Sequence, residues 1–266
     1  MEETNLEFNP PERWLDSPEP EEREKELAAF ESEQLSAKQD TFFKRGLLGK
    51  IMDTVFNKFF YLFEWFETNT ITDDWVDTSS GVSASVTGGV GGLAFTTGTT
   101  LNGYAQIDRR GLQFQSILRW DRFQAFKTSF SVTSLSEITC YLVRGYAGFV
   151  FSASSYFGFK IVNDSLYGVS SSTGASESTV LLLGPNTSPV FTVVTTYEIK
   201  AILIPRERVE FYILNSTTSE YELRGTLRTQ FPTDTTDQGY ANIIARTTNT
   251  TSKILDTSYF EYIQER

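Results

Sequence analysis

The sequence predicts an all-β fold over residues 68–266, a sandwich of two antiparallel sheets. First, short apolar or alternating runs recur from Thr68 onward, separated by Gly-, Ser-, Thr- and Asn-containing turns at intervals of about ten positions. Second, the 22 Phe and 12 Tyr of the chain suit pleated, half-buried surfaces. Third, no helical periodicity separates the runs, so around fourteen short strands must pair mainly with one another.

The individual strands are predicted from alternation and from their turn residues. Alternation is clearest at 126–132 and at 209–213, where apolar and polar side chains succeed one another. Turns are indicated at 87–89, 184–186 and 215–216. The pattern predicts strands near 82–87, 92–97, 103–108, 112–119, 124–133, 137–144, 147–153, 156–163, 165–170, 177–183, 197–204, 208–215, 219–228, 240–246 and 254–263.

The first forty residues predict an acidic arm, partly extended and partly helical. They carry 13 acidic residues against four basic ones, which is most of the chain's net charge of −11. Pro10 and Pro11 block regular structure near the start. Ser17 can cap a helix in which Pro18 takes the first position, and the residues that follow are good helix formers with few apolar members.

A second, amphipathic helix is predicted at about 42–66, within a docking segment 41–67. We expect its apolar face to bury either against the protein's own sandwich or against another subunit; insertion at a membrane surface is disfavoured because the polar face is not strongly basic. Charged residues interrupt the segment, so it is not predicted to span a membrane. The side chains expected to dock recur at helical spacing: Phe43, Leu47, Ile51, Val55, Phe59, Leu62 and Phe66.

Composition excludes several classes of chemistry. The chain has no histidine and one cysteine, Cys140. Imidazole-based catalysis and Cys/His zinc sites are therefore excluded, and no cofactor is expected. An acidic chain without a basic stripe also disfavours nucleic acid as the main partner.

Three segments carry a family resemblance. They are the Gly- and Thr-rich run 83–105, the hairpin 158–169, and the pair 197–200 and 208–214, in which Val209-Glu210-Phe211-Tyr212-Ile213 alternates. Together they resemble concanavalin-A-like (lectin/glucanase jelly-roll) domains of the kind found in tailed-bacteriophage virion proteins. The resemblance implies a two-sheet jelly roll over most of 75–266.

The resemblance also indicates what this chain lacks. Laminarinase-type members of the fold carry Glu-x-Asp-x-x-Glu on one strand, which places alternate carboxylates on one face as nucleophile and acid/base. No Glu-x-Asp occurs here, and the nearest approach, Glu220-Tyr221-Glu222, lacks a third carboxylate. The sequence therefore predicts a protein that is not an enzyme.

The expected function is that of a structural virion protein, a capsid decoration or head-fibre-type subunit anchored by its N-terminal arm. Its expected partners are other virion proteins and copies of itself, and assembly is expected in the host cytoplasm. Three alternatives stay open: a carbohydrate-binding, receptor-recognising module of a virion, a tail-associated structural protein, and a glycan hydrolase or lyase with unconventional catalytic residues.

Two further groups of residues are candidate sites. Five aromatic residues could form a platform for sugar rings, although core packing is their commoner fate: Trp120, Tyr141, Tyr146, Tyr156 and Tyr167. Asp73, Asp74 and Asp77 could supply oxygen ligands to calcium or could equally form a charged turn.

Overall fold

The computed structural model describes residues 59–65, 75–89, 92–109, 119–145, 155–172, 176–232 and 241–265. The chain divides after Phe60, and nearly all the described residues belong to the second unit, Tyr61–Arg266. They form fifteen strands: β1 Phe59–Trp65, β2 Trp75–Asp77, β3 Ser85–Gly89, β4 Gly92–Thr96, β5 Tyr104–Arg109, β6 Gln124–Val132, β7 Ile138–Gly145, β8 Tyr156–Val162, β9 Ser165–Ser171, β10 Ser178–Leu183, β11 Tyr197–Ile204, β12 Arg208–Asn215, β13 Glu220–Leu227, β14 Ala241–Thr247 and β15 Ile254–Glu265.

The strands form two sheets, and the predicted antiparallel jelly-roll sandwich is confirmed. The eight-stranded sheet has the order β13-β12-β11-β6-β15-β4-β3, with β1 also paired to β15. The seven-stranded sheet has the order β10-β9-β8-β7-β14-β5-β2. Successive hairpins build β7 to β10 and β11 to β13, whereas β6, β15 and β4 are neighbours that lie far apart in the chain.

The core lies between the two sheets and is rich in phenylalanine. The Phe126 ring on β6 lies 5.7 Å from Phe157 and 5.9 Å from Phe159, both on β8 of the opposite sheet. It also stacks on Phe260 of β15 at 5.5 Å. All four side chains are no more than 1% exposed, so the sheets are joined by close aromatic packing.

One glycine is required by this packing. Gly168 on β9 faces Phe211 of the opposite sheet, and a Cβ at this position would lie 2.5 Å from that ring. This distance is shorter than any van der Waals contact between carbons, so the two sheets can approach here only because residue 168 has no side chain.

Thirteen of the predicted strands coincide with observed ones to within three residues at either end. The other two, at 112–119 and 147–153, lie outside the described residues apart from Arg119, which is not in a strand. Strands β1 and β2 were not predicted. The strand β2 has only three residues, too few for alternation to be recognised.

The predicted helix at 42–66 is wrong for Phe59–Trp65, which forms strand β1 and pairs with β15. Five of the seven residues are aromatic, and aromatic side chains favour strands. The long strand β15 pairs with β4 only at Ile254–Thr257, so the rest of that edge can accept another strand. Strand β1 also places the start of the eight-stranded sheet before residue 68.

Of the residues predicted to dock onto a partner, Phe59 and Leu62 therefore belong to a sheet. The acidic arm and five further docking residues lie outside the described part of the chain: Phe43, Leu47, Ile51, Val55 and Phe66. Within the described ranges, no helix has the length and apolar character that a bilayer crossing requires.

Candidate functional site

The outer face of the eight-stranded sheet carries a cluster of charged and tyrosine side chains. Phe126 and Phe130 of β6 face the core, so Lys127 between them points to the outer face. Lys127 lies in register with Lys200 of β11 on one side and with Glu261 of β15 on the other. We call this cluster the outer network; it consists of Lys127, Glu198, Lys200, Glu210, Tyr212, Tyr221, Tyr259 and Glu261.

Lys127 is the centre of the outer network. Its Nζ lies 3.2 Å from Oε1 of Glu198 and 3.6 Å from Oε2 of Glu261, while the lysine side chain is only 4% exposed. The ammonium group also lies 5.5 Å from the ring centroid of Tyr221 and 5.8 Å from that of Tyr259. One buried cation thus bridges two carboxylates and contacts two aromatic rings.

The surroundings of Glu198 determine its protonation. Burial alone acts to raise the pKa of Glu198, but the charge of Lys127 and a hydrogen bond donated by Tyr221 outweigh burial and hold that pKa below its ordinary value. Burial, together with the negative charges of Glu198 and Glu261, raises the pKa of the Tyr259 hydroxyl. The network is therefore built to keep Glu198 ionised and Tyr259 protonated.

Lys200 is flanked by two tyrosine rings. Its Nζ lies 4.6 Å from the ring centroid of Tyr221 and 5.0 Å from that of Tyr212. The Tyr212 hydroxyl donates to Oε2 of Glu210 at 2.7 Å, which fixes the orientation of that ring. The two rings are partly exposed, whereas the lysine is buried, and Leu223 opposite Tyr212 is 53% exposed. The result is a surface that offers both aromatic and polar contacts.

Three of the five residues predicted to form an aromatic platform lie close together, on the outer face of the seven-stranded sheet. Tyr141, Tyr156 and Tyr167 lie there on three successive strands, packed with apolar neighbours. Tyr141 and Tyr156, however, are only 4% and 1% exposed. Trp120 lies in the core with its ring edge against Phe157, and Tyr146 is outside the described residues.

The polar groups of this second cluster bind one another. Glu177 accepts a hydrogen bond from the Tyr156 hydroxyl at 2.6 Å and another from Nζ of Lys160 at 2.6 Å. Lys160 also lies 5.1 Å from the ring centroid of Tyr141. Burial, reinforced by the hydrogen bond to Glu177, raises the pKa of Tyr156. The rings on this face are buried, and its polar atoms already bind one another. As a ligand-binding surface, this face is therefore a weaker candidate than the outer network.

The carboxylates of Glu220-Tyr221-Glu222 do not form a catalytic pair. They lie on β13, the edge strand of the eight-stranded sheet. Glu222 forms an ion pair with Arg224 at 2.6 Å and accepts a hydrogen bond from Asn215, whereas Glu220 is exposed. Tyr221, from the middle of this segment, contributes its ring to the outer network instead.

Of the three candidate calcium ligands, the structure describes Asp77, whereas Asp73 and Asp74 lie outside the described residues. Asp77 is exposed, and its Oδ1 accepts the backbone N–H of Ser79 at 2.8 Å, which is a local turn contact. In the described ranges, no three Asp, Glu or Cys side chains come together as metal ligands.

Sequence reasoning did not identify the outer network. Alternation places Lys127 and Lys200 on the solvent side of their strands, where isolated charges are ordinary. The two lysines become neighbours only through the register between β6 and β11, and Glu261 joins them through β15. A local pattern contains no information about that register.

No protein-family model and no curated protein matches this chain. Solved structures do match its fold. A protein of unknown function from Shewanella oneidensis MR-1 has a TM-score of 0.55 at 14% identity, over 78% of this chain and 87% of that one. A β-1,3-1,4-glucanase (lichenase) from a mouse hindgut metagenome has a TM-score of 0.54 at 10% identity, over 76% of this chain and 98% of that one.

The binding domain of botulinum neurotoxin serotype C1 also matches, with a TM-score of 0.51 at 8% identity. The match covers 76% of this chain and about half, 48%, of that one. At such low identities these likenesses establish the concanavalin-A-like jelly-roll fold alone.

Proposed function

We propose that this protein is a non-enzymatic recognition module that binds carbohydrate through the outer network. The observation that carries the proposal is the pair of partly exposed tyrosines, Tyr212 and Tyr221, held around Lys200. Tyrosine rings contact the apolar faces of sugars, and nearby ammonium and carboxylate groups bind hydroxyls. Fixed rings also lose little conformational entropy on binding.

The absence of hydrolytic activity is part of the proposal. A glycosidase needs one carboxylic acid with a raised pKa and a second, ionised carboxylate at the scissile bond. Glu198 and Glu261 lie close enough together to share the ammonium group of Lys127. That cation lowers the pKa of Glu198, which is the opposite of what a general acid requires. The pair therefore suits an ion-pair network better than acid catalysis.

Binding should weaken when either ring is removed. We expect Tyr212→Ala and Tyr221→Ala each to reduce glycan affinity about tenfold, since each removes an aromatic contact of about 1.5 kcal/mol. A glycan array on the wild-type domain identifies the ligand, and calorimetric titration then measures the variants. Tyr167→Ala, on the outer face of the other sheet, is the matched control and should keep wild-type affinity.

Two results would contradict this function. One is unchanged affinity in both variants, which would move the binding site elsewhere. The other is release of reducing sugar ends from the bound polysaccharide, which would make the protein an enzyme.

We further propose that this module serves on a virus particle, as a capsid decoration or head-fibre-type subunit, or as a tail-associated structural protein. The support is the resemblance of segments 83–105 and 158–169, and of the pair 197–200 and 208–214, to virion-associated domains. In this proposal the protein assembles in the host cytoplasm as a homo-oligomer, and residues 1–58 anchor it to other virion proteins.

Deleting residues 1–58 should abolish incorporation into particles while leaving β1 and the sandwich in place. Mass spectrometry of purified particles measures the copy number of the full chain and of the truncated chain. The truncated domain should still unfold cooperatively, as a control for folding. A full-length chain missing from the particles, or a truncated chain incorporated equally well, would refute the anchor.

A further inference from the structure

Among the described residues, a buried arginine in the core forms no ion pair. Arg144, the next-to-last residue of β7, is 2% exposed and points between the two sheets, as do Cys140 and Leu142 on the same strand. Its guanidinium carbon lies 4.3 Å from the ring centroid of Trp120 and 5.1 Å from that of Tyr262. The cation is thus covered by aromatic rings of the opposite sheet and of the segment that leads into β6.

All three guanidinium nitrogens of Arg144 are buried, and none makes a hydrogen bond of good geometry within the described part of the chain. The indole Nε1 of the adjacent Trp120 is in the same condition. Buried arginines are almost always paired, and buried polar atoms without a partner are rare in folded proteins. Here two neighbouring side chains, both of them donors only, lack well-placed acceptors among the residues that the structure describes.

The neighbouring acceptors are neutral and contact other donors. Oε1 of Gln264 lies 2.8 Å from the Tyr262 hydroxyl and accepts the backbone N–H of Arg119 at 2.8 Å. Oε1 of Gln124 lies 3.1 Å from the same hydroxyl. The rings of Trp120 and Tyr262 attract the cation. Burial raises the pKa of Tyr262, while the charge of Arg144 and a hydrogen bond with it act to lower that pKa, so the Tyr262 hydroxyl is a neutral acceptor beside the guanidinium. In the described ranges, no carboxylate accompanies Arg144 as a counter-ion.

We propose that Arg144 and the indole N–H of Trp120 bind an oxyanion, such as the carboxylate of a small ligand. A guanidinium presents a planar fork of N–H donors that matches the two oxygens of a carboxylate or phosphate. The site lies at one end of the sandwich: β7 ends at Gly145, β6 begins at Gln124 and β15 ends at Glu265. It is distinct from the outer network, because Arg144 points into the core.

Thermal unfolding in different anions tests this directly. The wild-type protein is compared in chloride, acetate, phosphate and glucuronate at one ionic strength and one pH. At about ten times the dissociation constant, a bound oxyanion should raise Tm by roughly 3–6 °C over chloride. A response to glucuronate alone identifies an acidic sugar as the source, and a response to all three identifies a general oxyanion site.

Arg144→Met should abolish the rise in Tm. In chloride, the same variant should be at least as stable as the wild type, because methionine removes a buried charge that has no partner there. Arg119→Met is the matched control, since Arg119 lies at the same end of the sandwich but is paired with Asp121 at 2.6 Å. This control should keep the full anion response.

Fluorescence of the indole provides a second measurement that does not depend on the Arg144 variant. Anion binding beside Trp120 should change the wild-type emission, and Trp120→Phe should remove that change. The proposal is overturned if the wild-type Tm and emission are the same in all four anions, or if Arg144→Met retains the response.

Discussion

Replacing Lys127 with methionine should lower the free energy of unfolding by about 3–5 kcal/mol, although the methionine fills a similar volume. The lysine is almost fully buried and is bound by both Glu198 and Glu261. Removing one member of a buried ion network leaves the remaining charges without a counter-ion, which costs more than the network itself contributes. Urea denaturation at pH 7 measures the loss.

The matched control is Arg119→Met. It also breaks an ion pair, but the Arg119 side chain is 44% exposed and Asp121 remains accessible to water. Exposed ion pairs contribute little, so this variant should unfold close to the wild type. Equal losses in the two variants would show that the burial of Lys127 has no energetic consequence.

The loss caused by Lys127→Met should depend on pH. The folded-state pKa of Glu198 is depressed, so its contribution to stability is present above the unfolded-state pKa of about 4.3 and is lost as pH falls through the folded value. Wild-type stability should therefore fall in acid. In the variant, burial without the cation favours the protonated carboxyl, so the difference between the two proteins should be smaller at pH 4 than at pH 7.

Local patterns were sufficient to predict most of the fold. Alternation in 126–132 and 209–213 separates core from outer face one residue at a time, and turn residues mark where strands end. These signals are carried by neighbouring residues, so they can be read without knowing which strands pair. The short strand β2 gives no such signal, and β1 has both helical spacing and the aromatic composition of a strand.

The strand β1 shows why the helix prediction failed. Phe59 and Phe66, with Leu62 between them, recur at helical spacing, which favours a helix. Five aromatic residues among seven favour a strand. The free part of the β15 edge decides between the two, because pairing there satisfies the backbone of both strands. That edge is almost two hundred residues away in the sequence.

The candidate site could not be predicted for a related reason. Lys127, Glu198 and Glu261 come from β6, β11 and β15, and only the register of those strands brings them together. The surroundings of Arg144 are equally hidden, because its neighbour in the opposite sheet, Tyr262, is more than a hundred positions away. Sequence alone predicts which face a residue occupies, whereas its partners depend on sheet topology.

Replacing Phe126 with alanine should cost about 3–5 kcal/mol in the free energy of unfolding, the usual range for a buried phenylalanine. The side chain is 1% exposed and contacts the rings of Phe157, Phe159 and Phe260. Alanine would leave a cavity between two sheets that are too tightly packed to close it. Leu223→Ala, on an exposed position, is the control and should stay within about 0.5 kcal/mol of the wild type.

Phe126 and Lys127 are consecutive residues on opposite faces of β6, so the two variants separate two kinds of stabilisation within one strand. Loss of apolar packing does not involve a proton, so Phe126→Ala should be equally destabilising at pH 4 and pH 7. Only the Lys127 variant should approach the wild type in acid. If both losses shrink alike at pH 4, titration elsewhere in the chain governs acid stability, and the outer network does not.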